Sequence, residues 1–318
     1  MTDVIAVGVD GGEPSLLALR WAGAEAALRQ ARLVVVVARP SALEWPHDSP
    51  RNVDEINRHI DDRMDQIGAA IGRTLSPTGD DADRPPVPAG ATQAETEKEP
   101  AAEHGLQPEI EIIEGHPTSV LVTVSKRVDL LVVGGRGFGG WKDAFAGSLT
   151  GHLAGHTGAP LAVVRSYAPQ RRGRIVVGVD GVSSAEAVRF GVAEAALRGA
   201  SLLVVSTWQY PVLGTRPTSP EAAELLEAGA RALLAEAVAA CRLQHPRVQL
   251  DTLVRMGHPA EVLAEQADLA DLVVVGSRNR GGFATLMLGS VVIDVLHRVA
   301  GPVVVVPDAR DNPVHRAP

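Results

Sequence analysis

The sequence lacks the features that stabilise extracellular and membrane proteins. Its 318 residues include a single cysteine, Cys241, so no disulfide can form within the chain. That cysteine usage, together with an N-terminus that does not resemble a signal peptide, is typical of a reducing cytosol. The longest aliphatic run, residues 33–38, is far shorter than the roughly 20 residues that span a bilayer. We therefore expect a cytoplasmic protein that does not enter the membrane.

Aromatic residues are also few, and the chain has no excess of positive charge. Phe, Trp and Tyr together make up 3% of the chain, so we expect a core of Val, Leu, Ile and Ala. The formal net charge of −8 excludes an overall attraction to nucleic acid or to an anionic membrane and leaves open only a local basic pocket. The hydrophobic share of 45% and the charged share of 21% are typical of a folded protein.

What the chain does contain is two copies of one pattern. The repeated blocks occur in the same order in both halves, which indicates two domains of the same kind. They are VIAVGVDGG (4–12) and RIVVGVDGV (174–182), AEAALRQARLVVVV (24–37) and AEAALRGASLLVVS (193–206), and DLLVVGGRG (129–137) and DLVVVGSRN (271–279).

We predict domains at residues 1–168 and 173–308, followed by a tail at 309–318. The first copy is the longer one because of an insertion at about residues 76–105, which is rich in proline and charge. Such a segment buries too little apolar surface to offset its ordering entropy, so we predict a disordered loop.

Each half is predicted to alternate five strands with four helices. The strands are short Val-rich runs without polar alternation, the pattern of strands buried on both faces of a parallel sheet. The helices show apolar residues at helical spacing, for example Ile56, Ile60, Met64 and Ile67. This alternation predicts an open α/β sheet, which binds ligands beyond the carboxyl ends of its strands, where the strand order reverses.

Three familiar glycine motifs fail on this sequence. In the Walker A comparison Lys142 is displaced by one position and no hydroxyl residue follows it. A G-x-G-x-x-G run starts at Gly135, but it follows the fourth strand rather than the first and is incomplete in the second copy. DGGEPS (10–15) departs from the S-G-G-x-D-S loop of pyrophosphate-releasing ATP enzymes at two positions.

A longer pattern, G-x-x-G followed by nine residues and G-S, is present in both copies. Gly134, Gly137, Gly147 and Ser148 match it in the first copy. The second copy has the same spacing at Gly276, Asn279, Gly289 and Ser290, with Asn279 in place of a glycine.

On these residues the chain resembles a tandem-domain universal stress protein of the nucleotide-binding type. The resemblance covers both halves except the insertion and the tail. It implies a five-stranded parallel sheet of order 3-2-1-4-5 in each domain and pairing of the two final strands, so that the domains form a pseudo-dimer. It also implies ATP held between the ends of strands one and four, which is the reversal point of such a sheet.

The resemblance implies corresponding contact residues in both copies. Glycines would let backbone N–H groups approach phosphate, the following helix would offer its N-terminus to phosphate, and an aspartate would accept hydrogen bonds from ribose. Because Asn279 would crowd a phosphate and Val292 replaces the hydroxyl of Thr150, we expect the second site to bind more weakly. The first set is Asp10, Ala38, Val133, Gly134, Arg136, Gly137, Gly147, Ser148, Leu149 and Thr150. The second set is Asp180, Thr207, Val275, Gly276, Arg278, Asn279, Gly289, Ser290 and Val291.

We expect an adenine-nucleotide-binding sensor or regulator of a stress response. ATP, with or without magnesium, AMP and cyclic AMP all stay open as the ligand. The sequence shows no acid cluster for metal binding and no arranged general base, so we expect at most slow ATP hydrolysis and no other enzymatic activity. The alternatives are an interaction scaffold that binds no nucleotide and a relative of the adenylyl-transfer or flavin electron-transfer enzymes. Expected partners are a second tandem chain, giving a homodimer, and an unidentified regulatory protein, but neither nucleic acid nor membrane.

Overall fold

The computed structural model describes residues 3–39, 53–75, 108–135, 148–168, 171–180, 184–209, 220–277 and 289–308. The predicted insertion at 76–105 and the predicted tail at 309–318 lie outside these residues, and the predicted domain boundaries stay predictions. Among the helices within the described ranges, none has both the length and the apolar character that a bilayer-spanning segment requires.

Both halves consist of alternating strands and helices in the predicted order. The first half contains β1 (Val4–Gly8), α1 (Glu13–Arg29), β2 (Arg32–Arg39), α2 (Val53–Leu75), β3 (Glu109–Glu114), α3 (Pro117–Ser125), β4 (Leu130–Gly134), α4 (Ser148–His156) and β5 (Leu161–Val164). The second half contains β6 (Arg174–Val179), α5 (Ala185–Arg198), β7 (Ser201–Trp208), α6 (Pro220–Gln244), β8 (Leu250–Met256), α7 (Pro259–Ala267), β9 (Leu272–Gly276), α8 (Ser290–Arg298) and β10 (Val303–Val306).

The same local signals end the equivalent helices of the two halves. Helix α1 ends at Gln30 with φ 53°, and α5 ends at Gly199 with φ 62°. In both halves the chain therefore turns through the left-handed conformation that commonly follows a helix. Helix α2 carries the predicted apolar stripe, and its Ile60 and Ile67 are buried.

The ten described strands form one continuous sheet in the order β3-β2-β1-β4-β5-β10-β9-β6-β7-β8. Each half therefore has the order 3-2-1-4-5 that the resemblance implied, and the strands within each half are parallel. The strands are covered on both faces by helices, and an aliphatic core of residues from both halves fills each face. The predicted α/β class is confirmed, and the core consists largely of Val, Leu, Ile and Ala, as predicted.

The two halves meet where β5 and β10 pair in antiparallel register. Val303 lies opposite Val163, and Val305 lies opposite Leu161. All four side chains are buried. The pairing removes two apolar sheet edges that would otherwise be exposed to association with other strands. The predicted pseudo-dimer is thereby confirmed.

A cluster of four charged side chains also joins the halves at the crossing of α1 and α5. Glu25 and Glu194 are 2% and 3% exposed, and each forms ion pairs with both Arg29 and Arg198. The Arg29 Nε to Glu25 Oε1 distance is 2.7 Å, and the Arg198 Nη2 to Glu194 Oε2 distance is 2.8 Å. The repeat AEAALR places equivalent residues on both helices, so the cluster follows the pseudo-twofold relation of the halves. Sequence reasoning missed it, although the repeated Glu and Arg were visible.

The two carboxyl groups of this cluster differ in pKa. Burial and the neighbouring charge of Glu25 raise the pKa of Glu194 to about 7, against the opposing effect of the arginines. Burial would also raise the pKa of Glu25, but Arg198 and Arg29 outweigh it and lower that pKa below its ordinary value.

Candidate functional site

A cavity of about 480 Å³ opens at the carboxyl ends of the central strands of the second half. Strand β6 lies between β7 and β9. The strand order reverses at this point, and open α/β sheets bind their ligands there. The volume lies within the roughly 300–1,000 Å³ of ordinary ligand sites. The cavity is lined by Gly178, Val179, Asp180, Ser184, Val205, Ser206, Thr207, Trp208, Leu225, Leu226, Gly229, Ala230, Leu233, Pro259, Leu263, Val275, Gly276, Gly289, Val291 and Val292.

Asp180 supplies the carboxylate of this cavity, directly after β6. Its Oδ1 accepts a hydrogen bond from Ser184 Oγ at 2.8 Å, and its backbone N–H donates to the same hydroxyl at 3.1 Å. The bonds fix the carboxylate at the end of the strand, where a ligand hydroxyl can reach it. Asp180 therefore both bonds the N-cap residue of α5 and forms part of the cavity wall.

The start of α8 forms the opposite wall. Gly289 is its N-cap, with φ −60° and ψ 139°, and Val291 and Val292 face the cavity. The first N–H groups of a helix have no acceptor within the helix and carry the positive end of its dipole. This wall therefore suits a phosphate or another anion.

Helix α6, which sequence reasoning did not assign to the site, contributes to the apolar part of the cavity. Leu226, Ala230 and Leu233 follow one another at helical spacing and line the cavity. Leu225 also lines it and is 75% exposed. An apolar wall facing an acid and a helix N-terminus suits a ligand with a flat apolar group at one end and an anion at the other. The apolar spacing in α6 could not reveal this role, because the same spacing is typical of a helix that only covers the sheet.

The equivalent region of the first half is built around a tight turn after β1. Asp10 Oδ1 accepts from the Gly12 N–H at 2.9 Å, and Asp10 N–H donates to Ser15 Oγ at 3.2 Å. Gly11 adopts φ +81°, and a Cβ there would lie 2.9 Å from Ile67 Cγ1 of α2. The turn therefore requires glycine both for its backbone conformation and for the close approach of α2.

Strand β4 ends against this turn. A Cβ on Gly134 would lie 2.6 Å from the carbonyl carbon and oxygen of Pro14, in the first turn of α1. On Gly276, the equivalent residue of the second half, it would meet no described residue within 4 Å. Among the described residues, the first half thus packs a helix start against its predicted phosphate-loop glycine, whereas the second half shows no such contact.

The structure places the predicted residues as follows. Six of the second set line the cavity: Asp180, Thr207, Val275, Gly276, Gly289 and Val291. Ser290 begins α8 and is exposed. In the first half the strand-end residues are Asp10, Ala38, Val133 and Gly134, on β1, β2 and β4 or directly after them, and Ser148, Leu149 and Thr150 begin α4.

Five predicted residues lie outside the described part of the chain: Arg136, Gly137, Gly147, Arg278 and Asn279. The side chains of Ser148 and Leu149 lie outside it as well. The prediction of weaker binding in the second half depended on Asn279, so it stays a prediction.

The histidines form no metal centre within the described ranges. His116 and His258 are the N-caps of α3 and α7, and His116 Nδ1 accepts from the Thr118 N–H at 3.3 Å. His152 and His156 stack on α4 with ring centroids 4.1 Å apart. Within the same ranges, no group of three or more His, Cys, Asp and Glu side chains is arranged so that it could hold a metal ion.

A smaller crevice of about 160 Å³ lies between the halves, beside Glu25 and Arg198. It is below the size of ordinary small-molecule sites. The cavity at the strand ends of the second half is therefore the better candidate for a ligand as large as a nucleotide.

Comparisons with known proteins agree with the fold. The chain matches the "Universal stress protein family" over residues 1–165 and 171–307. It is 32% identical over 313 residues to a universal stress protein of Mycolicibacterium smegmatis, covering 95% of this chain and 96% of that one. It is 30% identical over 319 residues to a universal stress protein of Mycobacterium tuberculosis, covering 95% of both chains. The crystal structure of a universal stress protein from Archaeoglobus fulgidus is similar in fold, with a TM-score of 0.66, 15% identity and 97% coverage of each chain.

Proposed function

Because the chain belongs to the universal stress protein family, we propose that it binds an adenine nucleotide, with ATP as the first ligand to test. The observation that carries the proposal is the cavity of about 480 Å³ at the strand ends of the second half, in which six residues of the predicted contact set come together. A base would lie against the apolar wall of α6, and phosphate would lie at the start of α8.

Asp180 is the group that we expect to hold the ribose. A carboxylate accepts hydrogen bonds from both ribose hydroxyls, and hydrogen bonds to charged groups contribute about 1.5–3 kcal/mol each. Asp10 has the corresponding place after β1 in the first half. We therefore expect one such contact in each half of the chain.

The proposed role is that of a sensor or regulator whose output depends on nucleotide occupancy. Magnesium would accompany ATP by binding its phosphates rather than a dedicated set of protein ligands, as is common for this ion. Without an arranged general base, hydrolysis of bound ATP should be slow compared with the 1–100 s⁻¹ of typical kinases.

The first experiment measures nucleotide directly. The full chain is purified without added nucleotide and denatured, and any released small molecule is identified and counted by chromatography and mass spectrometry. Titration calorimetry with ATP and magnesium then gives the affinity. Release of an adenine nucleotide, or binding of ATP, supports the proposal. A clean preparation that also gives no heat with ATP would favour a scaffold that works without nucleotide, and a yellow preparation would favour flavin.

Two conservative variants test the contact residues. Asp10→Asn and Asp180→Asn keep a side-chain oxygen for Gly12 and Ser184 but remove the charge. Each should weaken binding in its own half by about tenfold or more, since a lost charged hydrogen bond costs about 1.5–3 kcal/mol. Glu236→Gln, which removes an exposed carboxylate of α6, is the matched control. Unchanged ATP affinity in both Asp variants would show that neither aspartate holds the ligand.

A further inference from the structure

The wall of the second-half cavity includes an aromatic side chain. Trp208 is the last residue of β7 and lines the cavity. Side chains alternate between the two faces of a strand, and Val204 of the same strand belongs to the core cluster that contains Leu234 of α6. Trp208 is four positions after Val204, so its ring lies on the α6 side of the sheet. Because Trp208 is half-buried and lines the cavity, part of its surface is open to a ligand.

The backbone that carries this ring is held by the neighbouring strand. Trp208 pairs with Met256 of β8, and its carbonyl oxygen accepts from the Gly257 N–H at 3.1 Å. The next residue, Gln209, donates from Nε2 to the Gly257 carbonyl at 3.0 Å. The indole therefore stands on a fixed part of the sheet. A flat ring held in a cavity wall is suited to stacking against a flat group of a ligand.

Helix α6 faces the same cavity with an interrupted row of leucines. Leu225, Gly229 and Leu233 are four residues apart, so they lie on one face of the helix, and all three line the cavity. A Cβ on Gly229 would meet no described residue within 4 Å, so no packing contact among the described residues requires glycine here. Glycine in a helix interior is destabilising relative to alanine, but it lets another group approach the backbone closely. The row thus has a gap, one side chain wide, that opens into the cavity.

The first half has a different arrangement at the equivalent place. The repeat and the strand registers make Arg39, the last residue of β2, the equivalent of Trp208. Arg39 Nη2 lies 2.7 Å from Asp61 Oδ1 of α2. The first half therefore joins its strand end to its helix by an ion pair, whereas the second half has an aromatic ring in the cavity wall. An aromatic surface for a base is thus a feature of the second half.

We propose that the second half holds a purine base in the slot between Trp208 and the gap at Gly229. The inference rests on the proposed function and specifies how the base is bound in that cavity. Stacking on an aromatic side chain is open to every base, because each has a π-face. The two fused rings of a purine cover more of an indole than the single ring of a pyrimidine does. The second half should therefore select its ligand by ring size and prefer ATP to CTP about fivefold.

Tryptophan fluorescence of the full chain tests the stacking. The chain has four tryptophans, and replacing Trp45 and Trp141, which lie outside the described residues, by phenylalanine leaves Trp208 and the buried Trp21. A base stacked on an indole quenches its emission, so ATP should quench the emission of this chain. The quenching should be lost when Trp208→Leu is added, because Trp21 lies in the core. CTP should need an about fivefold higher concentration for the same quenching.

A second variant tests the gap in α6. Gly229→Leu completes the row of leucines and fills the slot, so it should weaken ATP binding in the fluorescence titration about tenfold. Thermal unfolding should show a folded chain that is at least as stable as the unmodified one, because leucine is a much better helix former than glycine. Gly68→Leu is the matched control. It lies on an exposed face of α2, where a Cβ also meets no described residue within 4 Å, and it should leave the ATP titration unchanged.

The outcomes separate this inference from the proposed function. Quenching by ATP that is lost with Trp208→Leu and weakened by Gly229→Leu alone supports the slot. If ATP binds by calorimetry without changing the emission of Trp208, if Gly229→Leu binds ATP as tightly as the control, or if CTP binds as well as ATP, the slot does not hold a purine base and the nucleotide proposal stands. If calorimetry detects no ATP binding to the unmodified chain, both proposals fail.

Discussion

The buried charge cluster between α1 and α5 leads to a prediction about how two equivalent glutamates affect the free energy of unfolding. Glu25 and Glu194 have the same place in the repeat and the same arginine partners. Replacing each by glutamine removes one negative charge at almost constant shape. We expect Glu194→Gln to remove a pH dependence of the free energy of unfolding, because burial and the neighbouring charge of Glu25 raise the pKa of Glu194 to about 7.

The magnitude for Glu194 follows from its raised pKa. Between its unfolded pKa of 4.5 and its folded pKa of about 7, the folded protein binds a proton that the unfolded chain does not. The contribution of Glu194 to the free energy of unfolding is therefore fully present below 4.5, and it is lost as pH rises through this window. One pKa unit corresponds to about 1.36 kcal/mol, so the total fall is on the order of 3 kcal/mol. Glu194→Gln should abolish this fall.

Glu25→Gln is the matched comparison. The ionised Glu25 stabilises the fold above the ordinary pKa of a glutamate, and this contribution is lost on acidification through its lowered pKa. Removing its charge leaves Arg29 and Arg198 in a buried place with one carboxylate between them. Breaking a buried pair in this way costs about 3–5 kcal/mol. The variant should therefore be less stable than the unmodified chain at neutral pH.

Urea unfolding at a series of pH values between about 5 and 8 measures these differences. Tryptophan fluorescence is a suitable signal, because Trp21 is buried. Glu236→Gln, at an exposed position of α6, should follow the unmodified chain at every pH. The reasoning is refuted if the stability of Glu194→Gln falls with pH in parallel with the unmodified chain.

Two further predictions concern packing. Gly191→Ala should destabilise the fold by about 1–3 kcal/mol, because the new Cβ would lie 2.3 Å from Val177 Cγ2 between α5 and the sheet. Gly68→Ala on α2, where a Cβ would meet no described residue within 4 Å, should stabilise it by up to about 1 kcal/mol. Thermal unfolding distinguishes the two, and equal effects would contradict the packing argument. Leu121→Ala, at a residue 1% exposed, should cost about 2–5 kcal/mol, whereas Leu243→Ala, at one 84% exposed, should change the urea midpoint little.

The sequence by itself determined the class of fold and its duplication. Val-rich strands without polar alternation require a sheet covered on both faces, and the order of the repeated blocks requires two such units. The aliphatic strands at residues 161–164 and 303–306 indicated edges that need a partner, and the structure pairs them. These features follow from local composition and spacing, which is why they can be predicted from the chain alone.

The strand-end part of the candidate site was also predictable. Asp180, Val275 and Gly276 end or follow neighbouring strands, and the carboxyl ends of parallel strands meet at one edge of the sheet. The contribution of α6 was not predictable, because an apolar stripe on a helix is the same whether it covers a sheet or also faces a cavity.

Only the tertiary structure decided which distant side chains meet. The four charges of α1 and α5 come together because the β5–β10 pairing places the two halves side by side. Arg165 reaches α8 for the same reason, 131 positions further along the chain at Leu296. Sequence spacing fixes contacts within one helix or between sequential strands. Contacts between the halves depend on how two packed units are positioned relative to each other, and that is set by the whole buried surface rather than by any short stretch of sequence.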